Sequence, residues 1–262
     1  LLIVMRVYFE KPRTTLGWKG LINDPDLDGT FDVHKGLRLA RRLLLDVLDL
    51  GLPVGCEFLD PTSPQYIADT ATWGAIGART SESQVHRQLA SGLSMPIGFK
   101  NATDGNVQVA VDACHVALSG HVFFGVDDAG RAAVVTTTGN PDPHVILRGG
   151  KAPNYGEAEV ADALALLEKG GRPRYLIIDA SHGNSGKDHV RQAVVAAEIG
   201  GQVAAGEKGI AGVMLESFLL PGRQDIGPDM EYGRSVTDAC MAWDTTEGVL
   251  AGLARAVRAR RG

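Results

Sequence analysis

Two textures alternate along the chain. Short apolar runs bounded by turn residues, at residues 1–9, 53–58, 73–78, 96–99, 144–147, 175–178 and 209–215, predict seven strands. Runs without polar alternation suit strands covered on both faces, as in a parallel sheet. Helical periods lie between them. Residues 33–50 put Leu37, Leu44 and Leu48 on one face, with Gly51 as the stop and Pro53 beyond it. Ser63-Pro64 offers a cap and a first-turn proline for a second helix, and Ser81, Thr103 and Ser185 are expected to cap three more. Val160, Leu164 and Leu167 mark a helix that Gly170-Gly171 ends. A last helix is expected after the box-like Asp244-Thr245-Thr246-Glu247, running to Arg258-Ala259-Arg260-Arg261. One stretch departs from the alternation: apolar residues on either side of Asp127-Asp128-Ala129-Gly130 predict a β-hairpin over 121–138.

Strands alternating with helices fit an open doubly wound sheet or an incomplete eight-stranded barrel. The GxGxxG turn of dinucleotide-binding sheets is absent. Gly183-Asn184-Ser185-Gly186-Lys187 fails as a phosphate loop, because Asp188 stands where a hydroxyl residue belongs and Ser181 where the first glycine does. No repeat, low-complexity tract or linker divides the 262 residues, so a single domain over 1–262 is expected. That length suits one barrel of about 250 residues.

Composition narrows the partners. The net charge is -5 and no Lys/Arg block is present, which removes the electrostatic case for nucleic acid. No apolar run approaches the roughly 18 residues of a membrane span. Leu1-Leu2-Ile3-Val4-Met5 lacks the basic flank of a signal peptide. Cys56, Cys114 and Cys240 form neither a CxxC pair nor an even framework, which reads as reduced thiols in the cytoplasm. The chain opens inside a strand pattern without an initiator Met and is expected to be a fragment.

The predicted strand ends carry the chemistry. Arg6, Lys11 and Arg13 lie at or beyond the first, Glu57 ends the second, and Arg79 and Lys100 follow the third and fourth. Arg148, His182 and Glu216 follow the last three, and Asp238 lies in the succeeding loop. In a barrel the carboxyl ends of strands face the active site. A single charged residue there marks only where a strand reaches solvent. Six cations gathered so in a net-acidic chain point instead to a ligand with at least two anionic groups. Glu57 among them reads equally as an internal counter-ion or as a group that orients water or accepts a proton. His182, Glu216 and Asp238 offer nitrogen and oxygen donors that suit Mn²⁺, Fe²⁺ or Zn²⁺, although no local spacing such as HExxH supports a metal. His34, His86, His115, His121, His144 and His189 read as packing or surface residues.

Longer motifs are more specific. Arg6-Val7-Tyr8-Phe9-Glu10-Lys11-Pro12-Arg13-Thr14-Thr15, then Gly17-Trp18-Lys19-Gly20, resembles class I 3-deoxy-D-arabino-heptulosonate 7-phosphate (DAHP) synthase. So do Gly74-Ala75-Ile76-Gly77-Ala78-Arg79-Thr80, Gly98-Phe99-Lys100-Asn101 and Ile146-Leu147-Arg148-Gly149-Gly150-Lys151. Asp179-Ala180-Ser181-His182-Gly183-Asn184-Ser185 and Ser235-Val236-Thr237-Asp238-Ala239-Cys240 continue the likeness across essentially the whole chain. The resemblance implies a TIM (β/α)8 barrel and the first step of the shikimate pathway, toward aromatic amino acids. There phosphoenolpyruvate condenses with erythrose 4-phosphate. By motif, Arg6, Lys11, Arg79, Lys100 and Arg148 would hold phosphoenolpyruvate, helped by backbone at Gly77 and Ala78. Lys11, Pro12, Arg13 and Thr14 would receive erythrose 4-phosphate. His182, Glu216 and Asp238 would bind a divalent metal (Mn, Fe, Zn or Co), with Lys11, Glu57 and His182 catalytic. A homo-oligomer and an aromatic amino acid effector are also implied, and Pro64, Gln65 and Ser94 resemble parts of the effector pocket.

The sequence departs from that family in one respect. Nothing matches its Gly-Pro-Cys-Ser segment, whose cysteine is a fourth ligand at the end of a further strand. The barrel is therefore expected without its first strand and N-terminal extension, and the 262 residues alone are expected to show little or no condensation. Cys56 is a poor substitute because alternation sends it and Glu57 to opposite faces. Two other readings stay open. One is a non-catalytic paralogue that binds phosphoenolpyruvate or a partner barrel. The other is the related synthase of the eight-carbon sugar acid, against which Lys11-Pro12-Arg13-Thr14 speaks.

Overall fold

The computed structural model describes residues 1–12, 15–127 and 129–262. The elements run in chain order β1 (Met5–Arg6), α1 (Val33–Asp49), β2 (Val54–Glu57), α2 (Pro64–Ile67), β3 (Trp73–Ile76), α3 (Gln84–Ser91) and β4 (Ile97–Lys100). Then come α4 (Gln108–Leu118), β5 (Val122–Val126), β6 (Ala132–Thr136), β7 (Pro143–Leu147), α5 (Glu157–Lys169) and β8 (Leu176–Asp179). The last are α6 (His182–Ser185), α7 (Arg191–Ala204), β9 (Ile210–Met214) and α8 (Trp243–Arg261). Among the described residues, seven strands form a sheet in the order β1-β2-β3-β4-β7-β8-β9. The pairs β1·β2, β2·β3, β3·β4, β7·β8 and β8·β9 are all parallel, so the fold is α/β. β5 and β6 pair antiparallel with each other, Phe124 opposite Val134.

The chain divides into two compact units: residues 2–100 with 112–144, and residue 1 with 101–111 and 145–262. In the first, α1 buries Gly36, Ala40 and Leu44, one residue per turn. The core there includes Phe58, Ile67, Ile76, Ile97 and Phe99, all fully buried. In the second, Ile146, Leu147, Leu176 and Ile178 from β7 and β8 are fully buried, as are Leu164 and Leu167 of α5. Full burial of such side chains stabilises by about 1.5–3 kcal/mol each.

Several expectations need correction. The first strand shrinks from residues 1–9 to Met5–Arg6, because only those two residues hold register with Val54 and Gly55. Apolar content predicts burial, whereas a ladder also needs a neighbour in register. Ser81 does not cap α3; Ser83 does, accepting from His86 N–H. α4 starts at Gln108, whose N–H is met by Asn106 Oδ1 at 2.9 Å, well past Thr103. Ser185 closes α6 rather than opening a helix, and α8 is capped at Ala242, with Asp244 already in its first turn. A hydroxyl or carboxylate near a helix start can serve several donors, and tertiary geometry decides which.

Candidate active site

In the unit holding residues 145–262, three ligand-type side chains meet. His182 opens α6 three residues beyond β8, Glu216 lies two residues beyond β9, and Asp238 lies in the loop before α8. One ligand atom from each lies within 4.8 Å of the other two. His182 Nδ1 is 2.9 Å from the fully buried Asp179 carboxylate, while Nε2 stands 3.8 Å from Glu216 Oε1. That second separation exceeds a hydrogen bond and suits two ligands sharing one ion at about 2.0–2.2 Å from each. Nδ1 makes no hydrogen bond there: Asp179 lies behind the ring at ion-pair distance but out of hydrogen-bond alignment.

Local structure sets each of the three. His182 has φ +54°, an unusual backbone for a side chain with a ring, and the next N–H, of Gly183, donates to Arg148 O at 3.0 Å. Glu216 Oε2 accepts from Ser181 Oγ at 2.8 Å. Its peptide is held by the buried Gln192 of α7, and Met241 N–H donates to its carbonyl at 3.0 Å. Bridges Ser217–Met241 and Gly222–Cys240 fold the segment carrying Asp238 back on itself.

Arg148, just past β7, is buried in the same unit. Its N–H donates to Asn101 Oδ1 at 2.8 Å. Gly149 has φ +74°, and a Cβ there would lie 2.5 Å from the Gly183 carbonyl carbon, so only glycine allows this backbone approach.

The unit of residues 2–100 and 112–144 carries the remaining candidates. Glu57 and Lys100 end β2 and β4 and are both buried. Gly77, Ala78 and Arg79 form a turn after β3, with Thr80 and Ser81 N–H groups on Gly77 O. Ser81 Oγ donates to Gly77 O at 3.1 Å and to Lys100 O at 2.7 Å, tying that turn to the end of β4. A Cβ on Gly77 would meet Glu57 Oε1 at 2.2 Å. Arg6 closes β1 with its guanidinium 3.8 Å from the Tyr8 ring centre. Lys11 N–H donates to Lys19 O at 2.7 Å, and Pro12 follows in the same loop. Arg13 and Thr14 lie outside the described residues. Pro64 and Gln65 line a surface hollow with Arg41, Tyr66 and Asp69, while Ser94 stands apart in the turn before β4.

Asp179, Ser181, Gln192 and the asparagines around Arg148 escape a reading of motifs for ligands and charges. Their partners are backbone groups or other ligands, a role without sequence periodicity. One signal was present: Asn101 and Asn184 follow predicted strand ends by two and six residues.

Strand-end chemistry on a parallel α/β sheet, with three convergent metal-type ligands, places the chain among enzyme-like α/β proteins. A family model described as the DAHP synthetase I family matches residues 1–251, and the chain belongs to that family. It is 60% identical to the phospho-2-dehydro-3-deoxyheptonate aldolase of Corynebacterium glutamicum, over 99% of this chain and 73% of that protein. Identity to the Phe-sensitive aldolase of Escherichia coli K12 is 56%, over 99% of this chain and 75% of that one. The solved structure of the Francisella tularensis SCHU S4 aldolase superposes with a TM-score of 0.97 at 55% identity, covering 100% of this chain and 77% of that one.

Proposed function

We infer that this chain condenses phosphoenolpyruvate with erythrose 4-phosphate to DAHP and phosphate, the first step toward the aromatic amino acids. The observation that carries this reading is the convergence of His182, Glu216 and Asp238 in a member of the DAHP synthetase I family. One nitrogen and two carboxylate donors suit a divalent ion, taken here as Mn, Fe, Zn or Co. When bound, such an ion polarises the aldehyde of erythrose 4-phosphate.

The chain's own residues do the rest. Arg6, Lys11, Arg79, Lys100 and Arg148 bind the carboxylate and phosphate of phosphoenolpyruvate, with backbone at Gly77 and Ala78. Lys11, Pro12, Arg13 and Thr14 receive the sugar phosphate. These roles rest on the motifs that carry them. Cations at both substrates offset phosphate–phosphate repulsion and hold C3 of the enol phosphate against the aldehyde carbon. As the C–C bond forms, the aldehyde oxygen takes a proton from Lys11. Water then adds to C2, one of its protons passing to Glu57; the C2–O bond to phosphate breaks, the departing phosphate takes the remaining hydroxyl proton, and C2 is left as the ketone. The reading includes residues 1–262 as one catalytic domain of a TIM barrel type, working in the cytoplasm as a homo-oligomer. An aromatic amino acid effector is also proposed, because relatives are named Phe-, Trp- and Tyr-sensitive.

The test is to follow phosphoenolpyruvate consumption by the Mn²⁺-loaded protein with erythrose 4-phosphate, with arabinose 5-phosphate, and with neither. Consumption with the four-carbon aldehyde, lost in His182→Ala together with bound Mn²⁺, is the expected result. Preference for arabinose 5-phosphate would assign the chain to the eight-carbon synthase. Binding without turnover would favour the non-catalytic reading.

A further inference from the structure

Three asparagines connect Arg148 to the segment that carries His182. Asn101 and Asn184 are fully buried, and Asn154 is half-buried in the loop after β7. Asn101 Oδ1 accepts from Arg148 N–H at 2.8 Å, and its Nδ2 donates to Gly149 O at 3.0 Å and Ala102 O at 2.9 Å. Asn154 Oδ1 accepts from Gly149 N–H at 2.7 Å, and its Nδ2 donates to Asn101 Oδ1 at 3.2 Å. Asn154 N–H in turn donates to Asn184 Oδ1 at 2.8 Å. Asn184 Nδ2 donates to Asp179 O at 2.8 Å and Leu147 O at 3.3 Å. A backbone N–H on each Oδ1 fixes every amide's orientation, since a flipped amide would oppose donor to donor.

Asn184 lies two residues after His182 in α6, and Asn101 grips the peptide of Arg148. Asn154 touches both. Gly183 N–H on Arg148 O completes the loop of contacts. We propose that Asn154 is a positioning residue that couples anion binding at Arg148 to metal binding at His182, because its side-chain amide holds the Arg148–Gly149 segment and Asn101 while its own N–H holds Asn184 in the segment that presents His182. This rests on the function proposed above. A ligand that fixes Arg148 also fixes the α6 peptide, so the second ligand has less ordering left to oppose it. Coupling of this kind is reciprocal: phosphoenolpyruvate and Mn²⁺ each tighten the other by the same factor.

The experiment measures Mn²⁺ affinity by electron paramagnetic resonance of the free ion, with and without saturating phosphoenolpyruvate. In the unaltered protein the substrate should tighten Mn²⁺ by about fivefold or more, the lower range of such couplings. In Asn154→Ala the ratio should fall to within about twofold of unity. A merely structural role would weaken both affinities and leave their ratio intact, so a preserved ratio overturns the proposal. If Asn154→Ala fails to fold, Asn154→Asp decides by the same criterion, since it keeps the acceptor for Gly149 N–H and loses the donor to Asn101. Tight binding of both ligands with a ratio of one in the unaltered protein also overturns the coupling, while leaving the proposed function intact. Binding of neither would overturn the functional reading and this inference with it.

Discussion

Gln192 holds the peptide of Glu216 from both sides: Glu216 N–H donates to its Oε1 at 2.9 Å, and its Nε2 donates to Glu216 O at 3.3 Å. The amide completes the ladder where β9 has ended, and so fixes the backbone from which a metal-type carboxylate projects. Gln192 is fully buried on α7, so water cannot take its place. Gln192→Leu should therefore cost about 1–3 kcal/mol, the penalty of an orphaned buried N–H. Supporting residues of this kind typically change metal affinity by about ten- to a hundredfold. Urea unfolding and Mn²⁺ titration check the two effects. Unchanged Mn²⁺ affinity in the variant would remove Gln192 from the support of the site.

Arg148→Ala should weaken phosphoenolpyruvate by about ten- to a hundredfold, because charge-assisted bonds worth about 1.5–3 kcal/mol are lost. Calorimetric titration with the substrate reads this directly. An affinity equal to that of the unaltered protein would rule out its role.

Gly77→Ala separates chemistry from stability. The new Cβ would fall 2.2 Å from Glu57 Oε1, so the carboxylate must swing away. The obstructing atom is the far end of a flexible side chain, and the fold should absorb it with a change in midpoint of only a few degrees. With Glu57 displaced, kcat should drop by about tenfold or more, within the range of lost acid–base groups. Equal kcat in the variant would show that Glu57 acts as a counter-ion.

Glu10 makes stability depend on pH. Burial, its largest influence, pushes the carboxyl up to about 7, against hydrogen bonds from Ser63 Oγ, Asp60 N–H and Leu59 N–H. Between about 4.5 and about 7 the folded chain keeps a proton that the unfolded chain releases. The contribution of Glu10 is thus fully present below that window and declines as pH rises through it, by about 2–3 kcal/mol in all. Chemical unfolding across that range should show the decline in the unaltered protein and a flatter profile in Glu10→Gln. Parallel profiles would place the group's pKa in the ordinary range.

Much of this was legible in the chain. The apolar runs at 53–58, 96–99 and 144–147 became β2, β4 and β7 with each bound shifted by at most one residue. Burial on both faces writes itself into composition. The motif residues His182, Glu216 and Asp238 converge as expected, although their separation in sequence hides the contact. Ser81, Thr103 and Ser185 failed as caps because a hydroxyl's partner is chosen by whatever the fold brings near. Ser81 instead serves the carbonyls of Gly77 and Lys100. Gln192 and Asn154 act on backbone groups far away in sequence, which no local pattern records.

Asn101 also says something about time. Its amide contacts partners 47, 48 and 53 residues downstream, and residues 101–111 belong to the unit completed only by residues 145–262. At about 5–20 residues per second of synthesis, several seconds pass before Asn154 exists to meet it. Glu216 and Asp238 emerge later still. A nascent chain can close α1 over its first strands while this corner remains in water. The three metal-type ligands are therefore among the last residues to find their places, and a ribosome stalled before Asn154 would display a half-folded chain with that corner unmade.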